Sequence, residues 1–246
     1  MPLPNMPQPH DNWAQYYDFV YQKTYGRFYE SMTESTLSYL SQILPKGTIL
    51  DYGAGTGRLS FPLQEMGYDV IAVEKSTEMA IVINEKALQN GIQFPVHSCS
   101  ISDYRGPSGD MALCVFTVLS YSITEEELFN NLSNVYKHLN PNGYFFFDLP
   151  NAVFFQQQNL ANIISTNFNR YISLTPTEIN QIYLYEENCS GTIANINFAY
   201  EDTFEIRNWN LNYVGQLLQE IGFQEVNTEF NRLMSSGSTY KLYQKL

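Results

Sequence analysis

Between residues 48 and 150 the sequence alternates apolar runs with amphipathic segments, and this alternation constrains the fold more than any other feature. Five runs have the length and the β-branched or aromatic content of strands: 48–52, 68–74, 93–97, 110–117 and 144–150. Three segments between them have helical periodicity: 58–66, 76–89 and 124–139. Strands that are apolar on both faces and alternate with helices form parallel sheets that helices cover on both sides. The sequence therefore predicts an α/β fold with a doubly wound, Rossmann-like sheet.

The regions on either side complete this sheet and add a smaller unit. An apolar pattern with three- and four-residue steps predicts a helix from about residue 12 to Pro45, and two late strands near 223–230 and 239–244 predict a hairpin. The hairpin makes seven strands, with the last antiparallel to the others. Strand-like pieces at 169–175, 181–188, 192–201 and 202–208 alternate in polarity, which predicts an antiparallel β lid. The expected divisions are a flexible arm (1–11), N-terminal helices with the core (12–150), the lid insertion (151–206), and a helix with the hairpin that completes the core (207–246).

Charge and cysteine content narrow the possible partners. The net charge is −12 and the basic residues form no cluster, which argues against nucleic-acid binding. The three cysteines include no Cys-x-x-Cys pair, so neither a disulfide framework nor a metal site is expected. The most apolar run, 111–121, is too short to cross a bilayer, and the N-terminus does not read as a signal peptide. We therefore expect a cytoplasmic protein without a membrane partner, either a monomer or a homodimer.

The first strand of the alternation leads into a glycine-rich loop, "ILDYGAGTGRLS" at 49–60. A strand, a glycine loop and a helix together place backbone N–H groups and the positive end of a helix dipole at one point, where a nucleotide can approach closely. The spacing Gly53-x-Gly55-x-Gly57 differs from the dinucleotide fingerprint, whose third glycine position is Arg58 here. No Lys-Ser/Thr pair follows, so a phosphate-binding P-loop is excluded.

Three acidic residues lie where strands of the predicted sheet end. A carboxylate at Asp51, two residues before Gly53, would repel a pyrophosphate and attract an ammonium or sulfonium group. Glu74, at the end of the second strand, can accept both ribose hydroxyls, and Asp103 can accept from an adenine amino group. These acceptors fit a nucleoside that is cationic and carries no phosphate, namely S-adenosylmethionine. Asp103 also fits a local Asx turn.

At these residues the chain resembles class I S-adenosylmethionine-dependent methyltransferases, from about residue 12 to 244. "ILDYGAGTGRLS" is similar to the first motif of that family, "VIAVEKSTEMA" to its ribose-binding strand and following helix, and "SISDYRG" to its adenine loop. The helix containing Tyr17-Asp18-Phe19-Val20-Tyr21 resembles the branch with a Tyr-Asp-x-x-Tyr helix, which includes sugar-amine and glycine-type N-methyltransferases. The adenine loop departs from this branch, because Cys99-Ser100 stands where Gly-Asp is frequent.

The resemblance implies a cofactor site, with S-adenosylhomocysteine as its product. Backbone contacts are expected from the loop, an amine contact from Asp51 and ribose contacts from Glu74. The implied cofactor residues are Tyr17, Tyr21, Asp51, Gly53, Ala54, Gly55, Gly57, Glu74, Lys75, Met79, Ser102, Asp103, Thr117 and Val118. Because Glu74 ends a strand, we expect it at the surface, so that Glu74→Ala would weaken cofactor binding and leave the fold intact.

Methyl transfer from a sulfonium is an in-line displacement that requires alignment and few catalytic groups. Ligands of such sheets bind beyond the carboxyl ends of the strands, so residues after the fourth and fifth strands are the candidates. The candidate catalytic residues are Tyr121 and Asp148, and the candidate substrate residues are Phe116, Ser120, Asn151 and Arg207. Arg207 would hold an acidic substrate group or pair with Glu205. The three histidines, His10, His97 and His138, suggest no shared site.

The leading hypothesis is a methyltransferase that acts on an N or O nucleophile of a small molecule. The loop "FTVLSY" after the fourth strand is not the Asn/Asp-Pro-Pro-Tyr/Phe motif that binds nucleic-acid bases, which again disfavours nucleic-acid acceptors. Two alternatives remain: a non-catalytic S-adenosylmethionine-binding module for regulation or assembly, and an NAD(P)-dependent oxidoreductase, which Asp51 and Arg58 disfavour.

Overall fold

A computed structural model of the chain describes residues 8–156, 159–226, 230 and 237–246. The helices are α1 (Tyr17–Tyr25), α2 (Arg27–Ile43), α3 (Ser60–Glu65), α4 (Thr77–Asn90), α5 (Glu125–Lys137), α6 (Ala152–Gln156) and α7 (Leu211–Ile221), with short 3-10 helices at Asp11–Tyr16 and Val118–Tyr121. The strands of the larger sheet are β1 (Thr48–Tyr52), β2 (Asp69–Glu74), β3 (Val96–Ser98), β4 (Gly109–Cys114), β5 (Leu139–Pro150), β10 (Phe223–Val226) and β11 (Ser238–Lys245). The strands of the smaller sheet are β6 (Asn159–Ile164), β7 (Phe168–Pro176), β8 (Ile182–Ile193) and β9 (Ile196–Arg207).

The larger sheet has the predicted doubly wound architecture. Its seven strands are ordered β10-β11-β5-β4-β1-β2-β3, and β1 to β5 run parallel. Strand β11 pairs antiparallel with both β5 and β10, which confirms the prediction for the last strand. From β1 the chain continues through β2 and β3 toward one edge of the sheet, and then through β4 and β5 toward the other. This change of direction between β1 and β4 opens a crevice at the carboxyl ends of the two strands.

Alternate residues of each strand pack on opposite faces of the sheet. In β1, Leu50 packs with the apolar faces of α5 and α7, whereas Ile49 packs with α2 and α3. Strand β5 is buried on both sides, since Phe145, Phe146 and Phe147 are all 0% exposed. Burial on both faces explains why these strands are continuous apolar runs in the sequence.

The N-terminal region is helical, as predicted, and is divided into several helices. Gly26, with φ at +48°, separates α1 from α2, because a left-handed backbone angle ends the regular helix. The segment preceding α1 is a 3-10 helix. Residues 1–7 of the expected arm lie outside the described residues, whereas residues 8–11 pack against the protein, with the backbone N–H of His10 bonded to Asp202 of β9. The flexibility expected for residues 1–11 stays a prediction, and this end of the arm contacts the lid in the structure.

The smaller sheet confirms the predicted antiparallel lid, with corrected strand boundaries. Its order is β6-β7-β8-β9. The piece predicted at 192–201 contains a two-residue hairpin turn at Ala194 and Asn195, whose φ angles of +47° and +67° fit the turn that joins twisted antiparallel strands. One strand therefore continues through 196–207, where two were predicted, and β6 was not predicted.

A buried ion pair ties the lid to α1. The guanidinium of Arg170 donates from Nε and Nη2 to the two carboxylate oxygens of Glu187, at 2.7 and 2.9 Å, and from Nη1 to Thr24 of α1. Arg170 also lies over the ring of Tyr21, 5.0 Å from its centroid. In the part of the chain that the structure describes, no helix has the length and apolar character needed to cross a membrane.

Candidate functional site

A cavity of about 980 Å³ lies at the carboxyl ends of β1 and β4, where the strand order reverses. Small-molecule pockets typically measure about 300–1,000 Å³, so this one has room for a nucleoside and a second small molecule. The loops after β1, β2 and β4 form one side, and the lid sheet with residues 8–10 forms the other. Fifteen of the predicted site residues line it: Tyr17, Tyr21, Asp51, Gly53, Ala54, Gly55, Glu74, Lys75, Met79, Ser102, Asp103, Phe116, Thr117, Val118 and Tyr121.

The glycine loop turns sharply away from β1, and its first two glycines serve different purposes. Gly53 has φ at +68°, and a Cβ there would lie 2.6 Å from a methyl group of Val118, so close packing between the two loops requires glycine. Gly55 has φ at +59°, and a Cβ there would meet nothing within 4 Å, so its backbone borders open cavity space. Gly57 differs from expectation, because the ring of Phe61 covers it and it does not line the cavity. Its N–H donates to Ala54 and shapes the turn.

Glu74 is buried at the end of β2, where the sequence suggested an exposed acid. One carboxylate oxygen accepts from the backbone N–H of Gly55 and the other from that of Ser76, both at 2.8 Å. Burial raises the pKa of Glu74, while the two N–H donors act in the opposite direction. The carboxylate thus fixes the glycine loop and retains lone pairs that can face the cavity.

Asp51 is buried beneath the same loop and has little compensation for its charge. Its carboxylate accepts from the hydroxyl of Ser60 at 2.6 Å. Burial raises the pKa of Asp51 to about 6, although the Ser60 hydrogen bond and the charge of Arg58 lower it in part. A buried carboxylate of this kind favours a cationic ligand, which is what the ammonium group of the expected cofactor would supply.

The expected adenine end of the cavity contains a tight turn. The hydroxyl of Ser100 donates to the Asp103 carboxylate at 2.6 Å and accepts from the Asp103 N–H at 3.1 Å. The Ser102 N–H donates to the side chain of Asn131 on α5, which fixes this loop to the core. The remaining predicted residues of this end are buried Met79, which follows the Ser76 N-cap of α4, and exposed Lys75.

The loop after β4 is strained and is held from below by Asp148. Phe116 and Thr117 have φ at +79° and +67°, which costs energy for residues with side chains. One oxygen of Asp148 accepts from both of their N–H groups, at 2.5 and 3.0 Å. Asp148 does not line the cavity. The carboxylate therefore holds the loop from outside the cavity lining, and a catalytic role of Asp148 stays a prediction.

Aromatic rings from α1 and the loops close the cavity above the sheet. The ring of Tyr17 stacks on Tyr21 and on Trp13, with centroid distances of 4.3 and 5.1 Å. Phe116 meets Tyr21 edge-on at 5.5 Å. The guanidinium of Arg58 lies 5.2 Å from the ring of Phe116. Ring faces attract cations, so this wall suits a positively charged group.

Tyr121 stands on the opposite side, at the junction with the lid. Its ring lies 5.5 Å from that of Phe204 on β9, and its hydroxyl is 2.8 Å from Nε2 of His10. Burial raises the pKa of Tyr121 well above its usual value, and the nearby Tyr21 and Asp202 act in the same direction. The phenol is therefore neutral at physiological pH. The lid contributes the apolar side chains Ile172, Leu184, Tyr185, Phe204 and Ile206 to this part of the cavity.

Three predicted substrate residues lie outside the cavity lining. Ser120 is 0% exposed, and Asn151 caps the start of α6 through its bond to the Val153 N–H. Arg207 donates to the carbonyl of Ile123 at 2.8 Å and stacks 4.0 Å from the centroid of the Trp209 ring. Arg207 forms its ion pair with Glu125, at 3.5 Å, in place of the expected pair with Glu205, and its role toward a substrate stays a prediction.

Two residues near Tyr121 were not predicted from the sequence. His10 lines the cavity, and its Nδ1 lies 3.0 Å from an oxygen of Asp202. The indole N–H of Trp13 donates to that same oxygen at 2.8 Å. His10 lies in the proline-rich arm and Asp202 in an alternating strand, so no local motif marks either residue.

Comparisons with known proteins agree with this geometry. A family model described as a methyltransferase domain matches residues 49–143. The glycine/sarcosine N-methyltransferase of Halorhodospira halochloris is 24% identical over 203 residues, covering 77% of this chain and 71% of that protein. Two solved structures have the same fold. One is an S-adenosylmethionine-dependent methyltransferase from Clostridium acetobutylicum ATCC 824 (TM-score 0.78, 16% identity, 94% and 98% of the two chains). The other is SAM-bound CalS10, an amino pentose methyltransferase from Micromonospora echinaspora (TM-score 0.74, 15% identity, 94% and 96%).

Proposed function

We propose that this chain, a class I S-adenosylmethionine-dependent methyltransferase, transfers a methyl group to a nitrogen or oxygen nucleophile of a small molecule. Its cofactor is S-adenosylmethionine. The observation that carries the proposal is the continuity of the cavity, which extends from the glycine loop to the apolar face of the lid. A single cavity of this kind can hold a methyl donor and a methyl acceptor in contact.

The residues at the sheet edge fit the cofactor. Asp51 and Glu74 are buried carboxylates, and Asp51 has a raised pKa, as expected of an acid whose cationic partner is a ligand. The open space above Gly55 allows the ligand to approach the backbone. We propose that Asp51 holds the amine, that Glu74 holds the ribose, and that Ser102 and Asp103 bind the adenine edge.

When bound, S-adenosylmethionine supplies an electrophilic methyl group on a sulfonium, whose departure leaves a neutral thioether. The protein contributes alignment and exclusion of water, which suffice for much of the rate of a two-reactant step. The stacked rings of Tyr17 and Tyr21 cover the cavity above the sheet, and Phe116 faces it from the loop after β4. Alignment at this loop depends on Asp148, which fixes the strained backbone at Phe116 and Thr117.

A small-molecule acceptor is supported by the enclosure of the second part of the cavity. The lid covers it with β7, β8 and β9, and its lining is mainly apolar. The amino pentose specificity of CalS10 and the glycine or sarcosine specificity of the Halorhodospira enzyme are examples of small acceptors on related chains.

Transfer of labelled methyl groups tests the proposal directly. The purified protein is incubated with methyl-labelled S-adenosylmethionine and a panel of small amines, alcohols and phenols, and label is followed into the acceptor fraction. Calorimetry with S-adenosylhomocysteine and thermal-shift titration with NAD are run in parallel. Cofactor binding without transfer to any compound would identify a non-catalytic module, and stabilisation by NAD alone would identify an oxidoreductase.

A further inference from the structure

A hydrogen-bonded chain of three side chains leads from the lid to the wall of the cavity. Asp202 of β9 lies 3.0 Å from Nδ1 of His10, and Nε2 of His10 lies 2.8 Å from the hydroxyl of Tyr121. Both His10 and Tyr121 line the cavity, at the side where the lid covers it. The three residues come from the arm, from the segment after β4 and from the lid, and only the fold brings them together.

The Asp202 carboxylate is held in an ionised state and fixes the orientation of the imidazole. The oxygen that faces Nδ1 also accepts from the His10 backbone N–H at 2.9 Å and from the Trp13 indole at 2.8 Å. Burial by itself would raise the pKa of Asp202, yet its interactions with His10 and Trp13 lower the pKa below the usual value. An ionised carboxylate beside Nδ1 selects the tautomer that carries its proton there. Nε2 is then free to accept the proton of Tyr121.

The part of the cavity beside Tyr121 is mainly apolar, although the lid also contributes Thr203 and Glu205, and it contains no free cation among the described residues. Of the lining residues outside the chain of three, Arg58 and Lys75 are the basic ones that the structure describes. Arg58 donates to Thr33 and lies over the rings of Tyr29 and Phe116, while Lys75 is adjacent to Glu74 at the expected ribose end. The lid face therefore offers no partner for a carboxylate on the acceptor.

We infer that Asp202, His10 and Tyr121 form a proton relay that deprotonates an ammonium group of the acceptor, and that this acceptor is an amine with an apolar body and no carboxylate. The inference rests on the proposed methyl transfer and names its substrate class. Amines arrive at neutral pH mainly as ammonium ions, which lack the lone pair that must attack the methyl group. A base in contact with the acceptor therefore has a definite task.

The relay moves one proton through two hydrogen bonds. The acceptor ammonium gives its proton to the Tyr121 oxygen as the Tyr121 proton passes to Nε2 of His10, and the resulting imidazolium pairs with Asp202. The freed amine lone pair forms the new N–CH₃ bond, and the electron pair of the breaking S–CH₃ bond remains on sulfur. The products are a methylated ammonium ion, neutral S-adenosylhomocysteine and one proton, which leaves from His10, whose side chain is 15% exposed.

Several polar and charged groups surround His10. Asp202 faces it from β9, Tyr121 from the segment after β4, and Tyr17 from α1, with ring centroids 5.8 Å apart. Glu74 of β2 interacts with His10 by charge, and neighbouring Asp11 is bound to Ser76. The relay needs Nε2 of His10 without a proton, because a protonated imidazole accepts no further proton.

The experiment compares acceptors and variants with the same labelled cofactor. The acceptors are benzylamine and cyclohexylamine, the matched benzyl alcohol and cyclohexanol, and glycine and sarcosine as amines that carry a carboxylate. The variants are Tyr121→Phe and His10→Gln, with His97→Gln as the control, because His97 lies on β3 and contacts the ring of Tyr104. We expect an apolar amine to be methylated. At pH 7, kcat/KM should fall about 10²-fold or more in both relay variants and stay unchanged in the control.

The pH profile distinguishes a relay from a structural role. The ratio of kcat/KM between the parent protein and each of the variants Tyr121→Phe and His10→Gln should decrease as the pH rises, because the amine then loses its proton in solution. A ratio that does not change with pH, or variants as active as the parent protein, would overturn the relay. Methylation confined to the alcohols, or to glycine and sarcosine, would overturn the substrate class. If S-adenosylhomocysteine binds by calorimetry and no compound is methylated, the proposed function fails and the relay fails with it.

Discussion

The Oε2 atom of Glu74 lies 2.8 Å from the backbone nitrogen of Gly55, so the acid expected to bind the ribose also fixes the loop expected to face the cofactor. Cofactor affinity and loop geometry are thereby coupled through one side chain. The fold assignment does not depend on this contact, but several measurable properties of the site do.

Replacing Glu74 should affect both binding and stability. Glu74→Ala removes the acceptor for Gly55 and Ser76, and hydrogen bonds to a charged group contribute about 1.5–3 kcal/mol each. We expect the Kd for S-adenosylhomocysteine, measured by calorimetry, to rise more than about tenfold, and urea denaturation to show a loss of stability of about 2 kcal/mol or more. Glu78→Ala, on the exposed face of α4, is the control. An unchanged Kd would remove Glu74 from the ribose site.

Cofactor affinity should depend on the ionisation of Asp51. The pKa of this group is about 6 in the free protein, and the ionised form attracts the ammonium group of the ligand. We expect the Kd for S-adenosylhomocysteine to be constant above this pH and to rise by up to about tenfold per pH unit below it. In Asp51→Asn the affinity should be lower and nearly independent of pH in this range. A parallel pH dependence in both proteins would assign the titration to another group.

Asp51→Asn should also increase the free energy of unfolding of the ligand-free protein. Burial raises the pKa of Asp51 from 3.8 to about 6, so its ionisation costs folding free energy that appears as the pH rises through this interval and persists above it. Asp51→Asn lacks this cost, and should be more stable by about 1–3 kcal/mol at pH 8 and by much less at pH 4. Urea denaturation at both values measures the difference. A variant that is less stable at pH 8 would contradict the assignment.

Gly55 and Gly67 offer a matched test of the open space in the cavity. Both have positive φ, +59° and +92°, and a Cβ at either position meets nothing within 4 Å. The backbone strain of Gly55→Ala and Gly67→Ala should therefore be similar, about 1–2 kcal/mol by urea denaturation. Only Gly55 lines the cavity, so only its variant should weaken binding of S-adenosylhomocysteine. Equal affinities in the two variants would show that the ligand does not approach Gly55.

Removing one partner of the ion pair between Arg170 and Glu187 should strongly destabilise the protein. Both side chains are 0% exposed, and a buried charge without its partner typically costs about 3–5 kcal/mol. Arg170→Met should lose this much in urea denaturation. The double variant Arg170→Met/Glu187→Gln leaves no unpaired charge. The amide oxygen of Gln can accept from one of the hydroxyls of Tyr185 and Tyr200, and its N–H can donate to the oxygen of the other. The double variant should be more stable than the single variant; the reverse order would show that the pair contributes mainly packing.

Local sequence patterns predicted the fold, and most of the residues expected to bind the cofactor line one cavity, because the elements that carry them follow one another in the sequence. Apolar runs gave the parallel strands, and α4 and α5 begin where the predicted helical segments start, with Ser76 and Thr124 as their N-caps. Asp51, Gly53 and Gly55 line the cavity because a strand, a tight loop and a helix leave few arrangements. Glu74 reached its predicted position, although its burial was not predicted, since burial depends on the loop that folds over it.

The acceptor side was less predictable because side-chain direction and long-range contacts decide it. Asp148 and Arg207 lie near strand ends, as predicted, yet Asp148 turns toward the loop after β4 and Arg207 toward Trp209. The contact between His10 and Asp202 joins residues 192 positions apart. Nothing in either local sequence signals such a pairing.

The aromatic stack around buried Trp13 gives the protein its own fluorescent probe. Of the two tryptophans, Trp13 lies between Tyr17 and Tyr200, with ring centroids 5.1 and 4.6 Å away, whereas Trp209 lies against Arg207 and Tyr213 near α7. Since Tyr17 lines the cavity, occupancy will alter the surroundings of the Trp13 indole. In a Trp209→Phe background, emission from this single fluorophore will follow ligand entry and release in real time, without a dye or a coupled assay.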